Sequence, residues 1–225
     1  MMPASSSVPE PTEWERAYLR FETPEQEIRK FESRLRRLGA DDWPRDAQIV
    51  EIFCGRGNGL RALHNLGFTR LEGIDLSPAL ASIYDGPGTV VVGDCRQLPL
   101  KSHSRDVLIV QGGLHHLPVL PGDLDQTLAD VARVLRPTGR FVVVEPWQTL
   151  FLHLTHLACA SRVLRAASPK VDALATMIQY ERATYESWLG QPRQILDLLH
   201  HHFEAEQEST NLGKLMFVGR PRRRE

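Results

Sequence analysis

Between residues 48 and 146, short apolar runs alternate with amphipathic stretches, and this alternation restricts the fold more than any other feature of the sequence. The runs AQIVEIF, LEGIDL, GTVVVGD, RDVLIVQGG and RFVVVEP have the length and apolar character of buried strands. Apolar residues at helical spacing lie between them, as in DLDQTLADVARVLRPTG. Strands that alternate with helices form a parallel sheet, joined by right-handed crossovers and covered on both faces. The pattern therefore predicts a doubly wound α/β core.

The segments that flank this pattern differ from it in composition and periodicity. TPEQEIRKFESRLRRLG predicts a helix, with Thr23 as its cap and Pro24 in its first position. Beyond Pro146 the sequence is mostly helical in character, and KLMFVGRP then predicts a last strand, with HHFEAEQEST as its hairpin partner. The predicted segments are a disordered N-terminus (1–11), an N-terminal helical cap (12–46), a core (47–219) with a helical insertion on the substrate side (147–201), and a basic tail (220–225).

Three glycines follow the first predicted strand within five positions, in VEIFCGRGNGL at residues 50–60. A strand, a glycine-rich turn and a helix together place backbone N–H groups at the carboxyl edge of the sheet. Because Gly55, Gly57 and Gly59 have no side chains, a ligand can lie against the backbone there. The alternative is that the glycines serve only the sharp turn between strand and helix.

Two acidic residues stand at the ends of the next two predicted strands. Asp75 ends the second strand, 20 residues after Gly55, where an ionised carboxylate can accept hydrogen bonds from both hydroxyls of a ribose. Asp94 ends the third strand, where a carboxylate can accept from the exocyclic amine of an adenine. The alternatives are a helix cap for Asp75 and a turn residue for Asp94. Together with the glycines, the two acids predict a groove shaped for adenosine.

Two kinds of cofactor contain adenosine and suit such a groove, namely dinucleotides and S-adenosylmethionine. The dinucleotide fingerprint G-x-G-x-x-G requires a third glycine at position 60, which is Leu60. The sequence has G-x-G-x-G instead, so binding of a pyrophosphate is disfavoured without being ruled out.

Four segments in order, VEIFCGRGNG, GIDLSPA, GDCRQLPLKSHSRDVLIVQGGLHHLP and VLRPTGRFVVVEP, resemble the class I S-adenosylmethionine-dependent methyltransferases. The resemblance covers about residues 48–146 and is strongest to the type 11 group of small-molecule enzymes. It implies a Rossmann-like, doubly wound sheet of seven mostly parallel strands, with the helical insertion before the last strands. It also implies S-adenosylmethionine as cofactor and S-adenosylhomocysteine as product.

The resemblance also assigns roles to single positions. Glu51, Gly55 and Gly57 match residues at the methionine end of the cofactor, and Gln111 matches a position that faces its centre. The full set of expected cofactor contacts is Glu51, Cys54, Gly55, Gly57, Gly59, Asp75, Leu76, Asp94, Cys95 and Gln111. This chain departs from the family pattern at Phe53, where a glycine is usual, and a bulky ring there can reshape the loop over the methionine carboxylate.

Methyl transfer is an in-line displacement, in which positioning of the nucleophile lowers the barrier and a base acts only where a proton must leave. Histidine suits that role near neutral pH, and two histidines follow the fourth strand in GGLHHLP, where a structural role is the alternative. Glu145, at the end of the fifth strand, is either a substrate contact or a loop anchor. Aromatic residues of the insertion either line a substrate pocket or pack a helical core. The candidates are His115 and His116 for catalysis and Glu145, Trp147, Tyr180 and Tyr185 for the substrate.

Composition limits the partners. The 27 basic and 28 acidic residues leave a net charge of -1, which disfavours nucleic acid as a partner and leaves a small-molecule acceptor. Three cysteines at wide spacing predict neither a disulfide framework nor a zinc site, and no other metal site is expected. No leader pattern is present, and the most apolar segment, LFLHLTHLACA, is shorter than the roughly 20 residues that a membrane span needs. A cytoplasmic protein is predicted.

These observations favour a methyltransferase that acts on an oxygen, nitrogen or carbon atom of a small molecule. The first alternative is an NAD-dependent oxidoreductase, which Leu60 and the lack of a Tyr-x-x-x-Lys pair disfavour. The second is a cofactor-binding module without transfer activity, which Phe53 keeps open. The acceptor, the atom methylated and the oligomeric state are left open by the sequence.

Overall fold

The computed structural model of the protein describes residues 12–222. The predicted disordered segment 1–11 and the last three residues of the predicted basic tail, 223–225, lie outside the described residues.

A single seven-stranded sheet has the order β3-β2-β1-β4-β5-β7-β6. Strands β1 to β5 are parallel, whereas β7 is antiparallel to both β5 and β6. The prediction of a doubly wound, mostly parallel sheet that ends in a hairpin is confirmed. The strands are β1 (Gln48–Ile52), β2 (Arg70–Asp75), β3 (Thr89–Val92), β4 (Arg105–Gln111), β5 (Leu135–Pro146), β6 (Phe203–Asn211) and β7 (Lys214–Pro221).

Strand β1, which lies between β2 and β4, is buried on both faces because apolar residues occupy consecutive positions. Val50 and Ile52 belong to one core cluster, while Ile49 belongs to the cluster on the opposite face. Each of the three is at most 1% exposed, and full burial of such a side chain contributes about 1.5–3 kcal/mol. The continuous apolar run in the sequence therefore reflects a strand with helices on either side.

Ten α-helices are described: α1 (Glu13–Phe21), α2 (Pro24–Arg37), α3 (Asn58–Asn65), α4 (Pro78–Ser82), α5 (Gly122–Val134), α6 (Leu150–Ala160), α7 (Arg162–Ala167), α8 (Pro169–Tyr180), α9 (Arg182–Gly190) and α10 (Pro192–His202). Thr23 caps α2 as predicted, in a capping box with Gln26. Helix α1 lies in the predicted helical cap (12–46) but was not predicted as a separate helix, although Thr12 and Glu15 form a second capping box at its start. None of the helices within residues 12–222 has the length and apolar character needed to cross a membrane.

The helices after β5 fall into two groups. Helices α6 to α10 occupy the predicted insertion (147–201), and α10, the last of them, packs against α5. Ile195 and Leu199 of α10 belong to the same core cluster as Leu124 and Leu128 of α5. The last helix therefore covers the sheet rather than extending the substrate side.

The parallel register brings the ends of three strands together. Ile52 of β1 lies beside Ile74 of β2 and Val110 of β4. The next residues along β2 and β4 are Asp75 and Gln111, so the side chains that follow these strands meet at one edge of the sheet.

Candidate active site

A cavity of about 590 Å³ lies at this edge, between the ends of β1, β2 and β4, helix α1 and the start of α9. Most of the expected cofactor contacts line it: Glu51, Cys54, Gly55, Asp75, Leu76, Asp94, Cys95 and Gln111. Gly57 and Gly59 do not. The structure therefore brings together residues that are up to 60 positions apart in the sequence, as in the hydrogen bond between Gln111 and Glu51.

The three glycines of the loop serve different needs. Gly55 and Gly57 have positive φ angles of 53° and 76°, which favour glycine. A Cβ on Gly57 would overlap the ring of Tyr84, and a Cβ on Gly59 would overlap the carboxylate of Glu51. The missing side chains at 57 and 59 thus make room for the protein's own side chains. Of these three glycines, Gly55 alone lines the cavity.

Glu51 is a buried carboxylate with one oxygen that lacks a partner. Its Oε1 atom accepts from Gln111 Nε2 at 3.3 Å, and Oε2 has no hydrogen-bond partner among the described residues. Burial raises the pKa of Glu51 to about 8, and the nearby acids Glu27 and Asp75 add to that rise. Since a buried unpaired carboxylate is costly, this oxygen is suited to a cationic group in the cavity. The α-ammonium of S-adenosylmethionine is such a group.

Arg34 fixes the amide that contacts Glu51. Its Nη1 atom donates to Gln111 Oε1 at 3.0 Å, so the amide nitrogen of Gln111 is turned towards Glu51. Burial lowers the pKa of Arg34 to about 10, which leaves the guanidinium charged at neutral pH. The sequence identified Gln111 but not Arg34, because only the packing of α2 over the sheet brings Arg34 there.

Asp75 and Asp94 lie at the cavity and are already hydrogen-bonded. Asp75 accepts from the backbone N–H of Gly55 at 2.7 Å and of Ser77 at 2.9 Å, and Ser77 rather than Asp75 caps α4. Asp94 pairs with Arg96, whose Nη2 atom lies 2.7 Å from Oδ2, and these bonds hold the pKa of Asp94 below its usual value. Each carboxylate oxygen has a second lone pair, so both acids retain capacity to accept from a ligand.

Helix α1 forms the wall of the cavity opposite the sheet. Trp14 Nε1 donates to Glu181 Oε2 at 2.8 Å, which joins α1 to the start of α9. Ser77 Oγ donates to Glu15 Oε1, which joins α1 to the cap of α4. Both contacts span more than 60 positions of sequence, so they join α1 to parts of the chain that are remote from it.

Glu27 of α2 ties the N-terminal helices to the glycine loop. Its Oε2 atom accepts from Arg56 Nη2 at 2.8 Å and from Asn58 Nδ2 at 2.7 Å. Its Oε1 atom accepts from the hydroxyl of Tyr18 at 3.3 Å. Both Glu27 and Arg56 are buried, and a buried ion pair with several further hydrogen bonds fixes local geometry. Glu27 therefore fixes the glycine loop to α2 through Arg56 and Asn58.

His115 is enclosed between two carboxylates and does not line the cavity. Its Nδ1 atom lies 2.7 Å from Glu145 Oε2, and its Nε2 atom lies 3.7 Å from Glu181 Oε1. Burial opposes the charged ring, but the two carboxylates outweigh it and raise the pKa of His115 to about 9. Glu145 also accepts from the backbone N–H groups of Gly113 and Leu114, both at 2.8 Å. Glu145 is thus a fully buried loop anchor and not a residue at the cavity mouth.

His116 lines the cavity, unlike its neighbour. Its Nδ1 atom lies 3.1 Å from Glu181 Oε2, and its ring stands edge-on to Trp14 at 5.2 Å. Because Nδ1 donates to Glu181, Nε2 is the nitrogen left to accept a proton. The ligand atoms of His115, His116 and Glu181 lie within 4.8 Å of one another, and hydrogen bonds explain this proximity without an ion.

Comparisons with known proteins agree with this geometry. Residues 50–143 match the methyltransferase domain family. A structure of a Pyrococcus horikoshii protein covers 95% of this chain and 100% of its own at 19% identity, with a TM-score of 0.70. The magnesium protoporphyrin IX methyltransferase of Synechocystis, solved with S-adenosylhomocysteine, has a TM-score of 0.60 at 15% identity and covers 93% of each chain. Residues 50–143 therefore form a methyltransferase domain of this family, and the fold of the chain is that of the class I S-adenosylmethionine-dependent methyltransferases. The predicted family is confirmed.

A relative by sequence is the sterol 4-C-methyltransferase of Caenorhabditis elegans, 25% identical over 139 residues. The match covers 56% of this chain, which spans only 40% of that relative's length. Membership of this methyltransferase class decides between the two cofactors that the glycine loop left open, in favour of S-adenosylmethionine.

The expected substrate aromatics of the methyltransferase separate into two groups. Tyr180 lines the cavity and is 62% exposed. Trp147 is buried against Trp188, with ring centroids 6.4 Å apart. Tyr185 is buried as well, and its ring stands edge-on to that of His115 at 5.7 Å. Trp147 and Tyr185 do not line this cavity and pack inside the helical layer, which is the alternative that the sequence left open for them.

Phe53, the departure from the family pattern, lines the cavity of the methyltransferase. Its φ angle is 54°, in the left-handed region that a bulky residue rarely adopts. The ring occupies the space beside Gly113, where a Cβ would overlap it, and lies 6.4 Å from the ring of His116. The backbone therefore keeps the conformation that glycine favours, while the ring is directed to the histidine side of the cavity.

Proposed function

We propose that this methyltransferase moves the methyl group of S-adenosylmethionine to an oxygen, nitrogen or carbon atom of an apolar small-molecule acceptor. The observation that supports it most is the unpartnered oxygen of Glu51 in a cavity that also contains Asp75 and Asp94. The relatives support the acceptor class, since one is named for a sterol and another for magnesium protoporphyrin IX. Both acceptors present large apolar surfaces.

The residues divide the cavity into cofactor and acceptor parts. Glu51 would hold the α-ammonium, Asp75 the ribose hydroxyls, and Asp94 with Cys95 the adenine. The aromatic side chains Trp14, Phe31, Phe53 and Tyr180 would contact the acceptor, because apolar ligands are enclosed by such walls. When bound, the cofactor supplies a methyl group activated by its sulfonium.

The protein's own contribution to transfer is to orient the acceptor and to remove its proton. Glu181 holds His116 by Nδ1, so Nε2 accepts the proton of the acceptor. His115 does not reach the cavity and acts as a positioning residue, since it binds the same Glu181 from the buried side. The start of α9 and the loop after β4 are thereby held together.

Calorimetric titration with S-adenosylmethionine, S-adenosylhomocysteine and NAD tests the proposal. We expect binding of the first two ligands and none of NAD. Turnover is then measured with a panel of phenols, amines, sterols and tetrapyrroles. Binding without turnover across the panel would favour the cofactor-binding module without transfer activity.

We predict that Asp75→Ala weakens binding of S-adenosylmethionine by about 2 kcal/mol, which is roughly thirtyfold in Kd, because the ribose loses a charged acceptor. Asp75→Asn keeps one acceptor oxygen, so its affinity for S-adenosylmethionine should fall less than that of Asp75→Ala. Titration calorimetry measures both constants. An affinity of Asp75→Ala equal to that of the wild type would show that the ribose lies elsewhere.

We predict that His116→Gln lowers kcat by about a hundredfold on an acceptor that must lose a proton, with the Kd of S-adenosylmethionine unchanged. His153→Gln, on the exposed side of α6, is the matched control and should keep wild-type kinetics. A His116→Gln enzyme with the kcat of the wild type would rule out His116 as the base.

A further inference from the structure

Helix α6 directs an apolar stripe outward. Leu150, Phe151, Leu154 and Leu157 are each more than half exposed. At about 100° per residue they fall within about 120° of the helix circumference, which is the width of stripe that a surface helix normally turns towards the core. None of the described α6 side chains is fully buried. The apolar stripe of α6 thus faces outward instead of towards the core.

Helix α7 continues this surface. Val163 is 76% exposed and Leu164 is 47% exposed. We call the six side chains the α6–α7 face: Leu150, Phe151, Leu154, Leu157, Val163 and Leu164. Contiguous exposed apolar surface of this kind marks a site of contact with a protein or a membrane.

Basic residues outnumber acidic ones around the α6–α7 face. Residues 147–171 contain Arg162, Arg165 and Lys170 but no Asp or Glu, in a chain whose net charge is -1. A surface recess beside the face is lined by Arg20, Arg162 and Arg165, with a single acid, Asp172. Asp172 pairs with Arg165, so Arg20 and Arg162 give the recess its net positive charge.

We propose that the α6–α7 face docks on an anionic bilayer surface, with its apolar side chains at the boundary of head groups and acyl chains and with Arg20 and Arg162 on lipid phosphates. An apolar helix face bordered by basic residues is the chemistry of interfacial helices. Helix α6 has 11 residues and therefore lies in the plane of the interface and does not span it. A symmetric dimer through the same face would place two positive recesses close together, which disfavours a second copy as the occupant.

The docked face adjoins the histidine side of the cavity. On the inner side of α6, His156 Nε2 lies 3.1 Å from the hydroxyl of Tyr185, whose ring packs on His115. Docking would thus place the bilayer next to the layer of helices that encloses the site.

Flotation of the full chain with vesicles tests the proposal. We expect binding to vesicles of phosphatidylcholine with phosphatidylglycerol, weaker binding to phosphatidylcholine alone, and a decrease with salt. The double variant Leu154→Glu/Leu157→Glu should lower the bound fraction at least tenfold. Its matched control is Ile83→Glu, an equally exposed aliphatic residue outside the face, which should bind as the wild type does. Circular dichroism checks that each variant is folded.

The variant Arg20→Gln/Arg162→Gln isolates the head-group contact, and it should bind both kinds of vesicle equally. Absence of wild-type binding to either vesicle would overturn the proposal. So would a dimer, seen by sedimentation velocity without lipid, that Leu154→Glu dissociates, because the face would then join two copies of the chain. Equal loss of vesicle binding in Ile83→Glu would also contradict it.

Discussion

Replacing Glu145 by alanine is expected to lower the free energy of unfolding by about 3–5 kcal/mol, the cost of breaking a buried ion pair on one side. Glu145 is fully buried and accepts from the N–H groups of Gly113 and Leu114 as well as from His115. Without it, all three donors lose a partner in a region without compensating solvent. Urea unfolding followed by circular dichroism measures the change.

Glu145→Gln separates charge from hydrogen bonding, because its amide oxygen still accepts from the two backbone N–H groups. Glu145→Gln should lower the free energy of unfolding clearly less than Glu145→Ala does. A loss below about 1 kcal/mol for alanine would contradict the role of Glu145 as the anchor of this loop, since one buried hydrogen bond alone contributes that much.

The ion pair of His115 and Glu145 makes the stability of the protein depend on pH. The pKa of His115 rises from 6.5 to about 9 in the folded protein, so the folded state binds more protons between these values. The stability that comes from charged His115 is full below pH 6.5 and is lost as the pH rises through about 9. The decrease of stability over this range should be smaller in Glu145→Gln than in the wild type.

The sequence predicts those elements whose determinants are local. Buried strands such as β1 show as apolar runs, and the capping box at Thr23 marks α2 without reference to any other part of the chain. Helix α1 has a capping box too, but it is also bonded to residues far along the chain, through Trp14 to Glu181 and through Glu15 to Ser77. Such contacts exist only after folding, and so the helix was missed.

The candidate site follows the same division. Residues at strand ends, such as Asp75 and Gln111, could be placed because parallel strands end at one edge. A position near the end of a strand does not show whether the side chain reaches the cavity. Glu51 lines the cavity, whereas Glu145 is buried under the loop after β4. Arg34 and Glu181 were missed because helices that precede or follow the core bring them to it.

Glu51→Gln should weaken binding of S-adenosylmethionine by about 3 kcal/mol, more than a hundredfold in Kd, because in the proposed arrangement the ammonium loses a buried, charged partner. The same change should stabilise the unliganded protein, since it removes a buried carboxylate whose Oε2 atom has no partner among the described residues. A loss of affinity together with a gain of stability is not expected of a residue with a purely structural role. Titration calorimetry and urea unfolding measure the two effects.

The gain of stability in Glu51→Gln should increase with pH. The pKa of Glu51 rises from 4.5 to about 8 on folding, so the folded state holds the proton more tightly. The cost of the carboxylate is therefore absent below pH 4.5, grows as the pH rises to about 8, and is constant above it. The difference in stability between Glu51→Gln and the wild type should follow this course, while Glu186→Gln, at a 70% exposed position, should show none of it. If Glu51→Gln lost stability and kept its affinity for S-adenosylmethionine, the ammonium would not bind at Glu51.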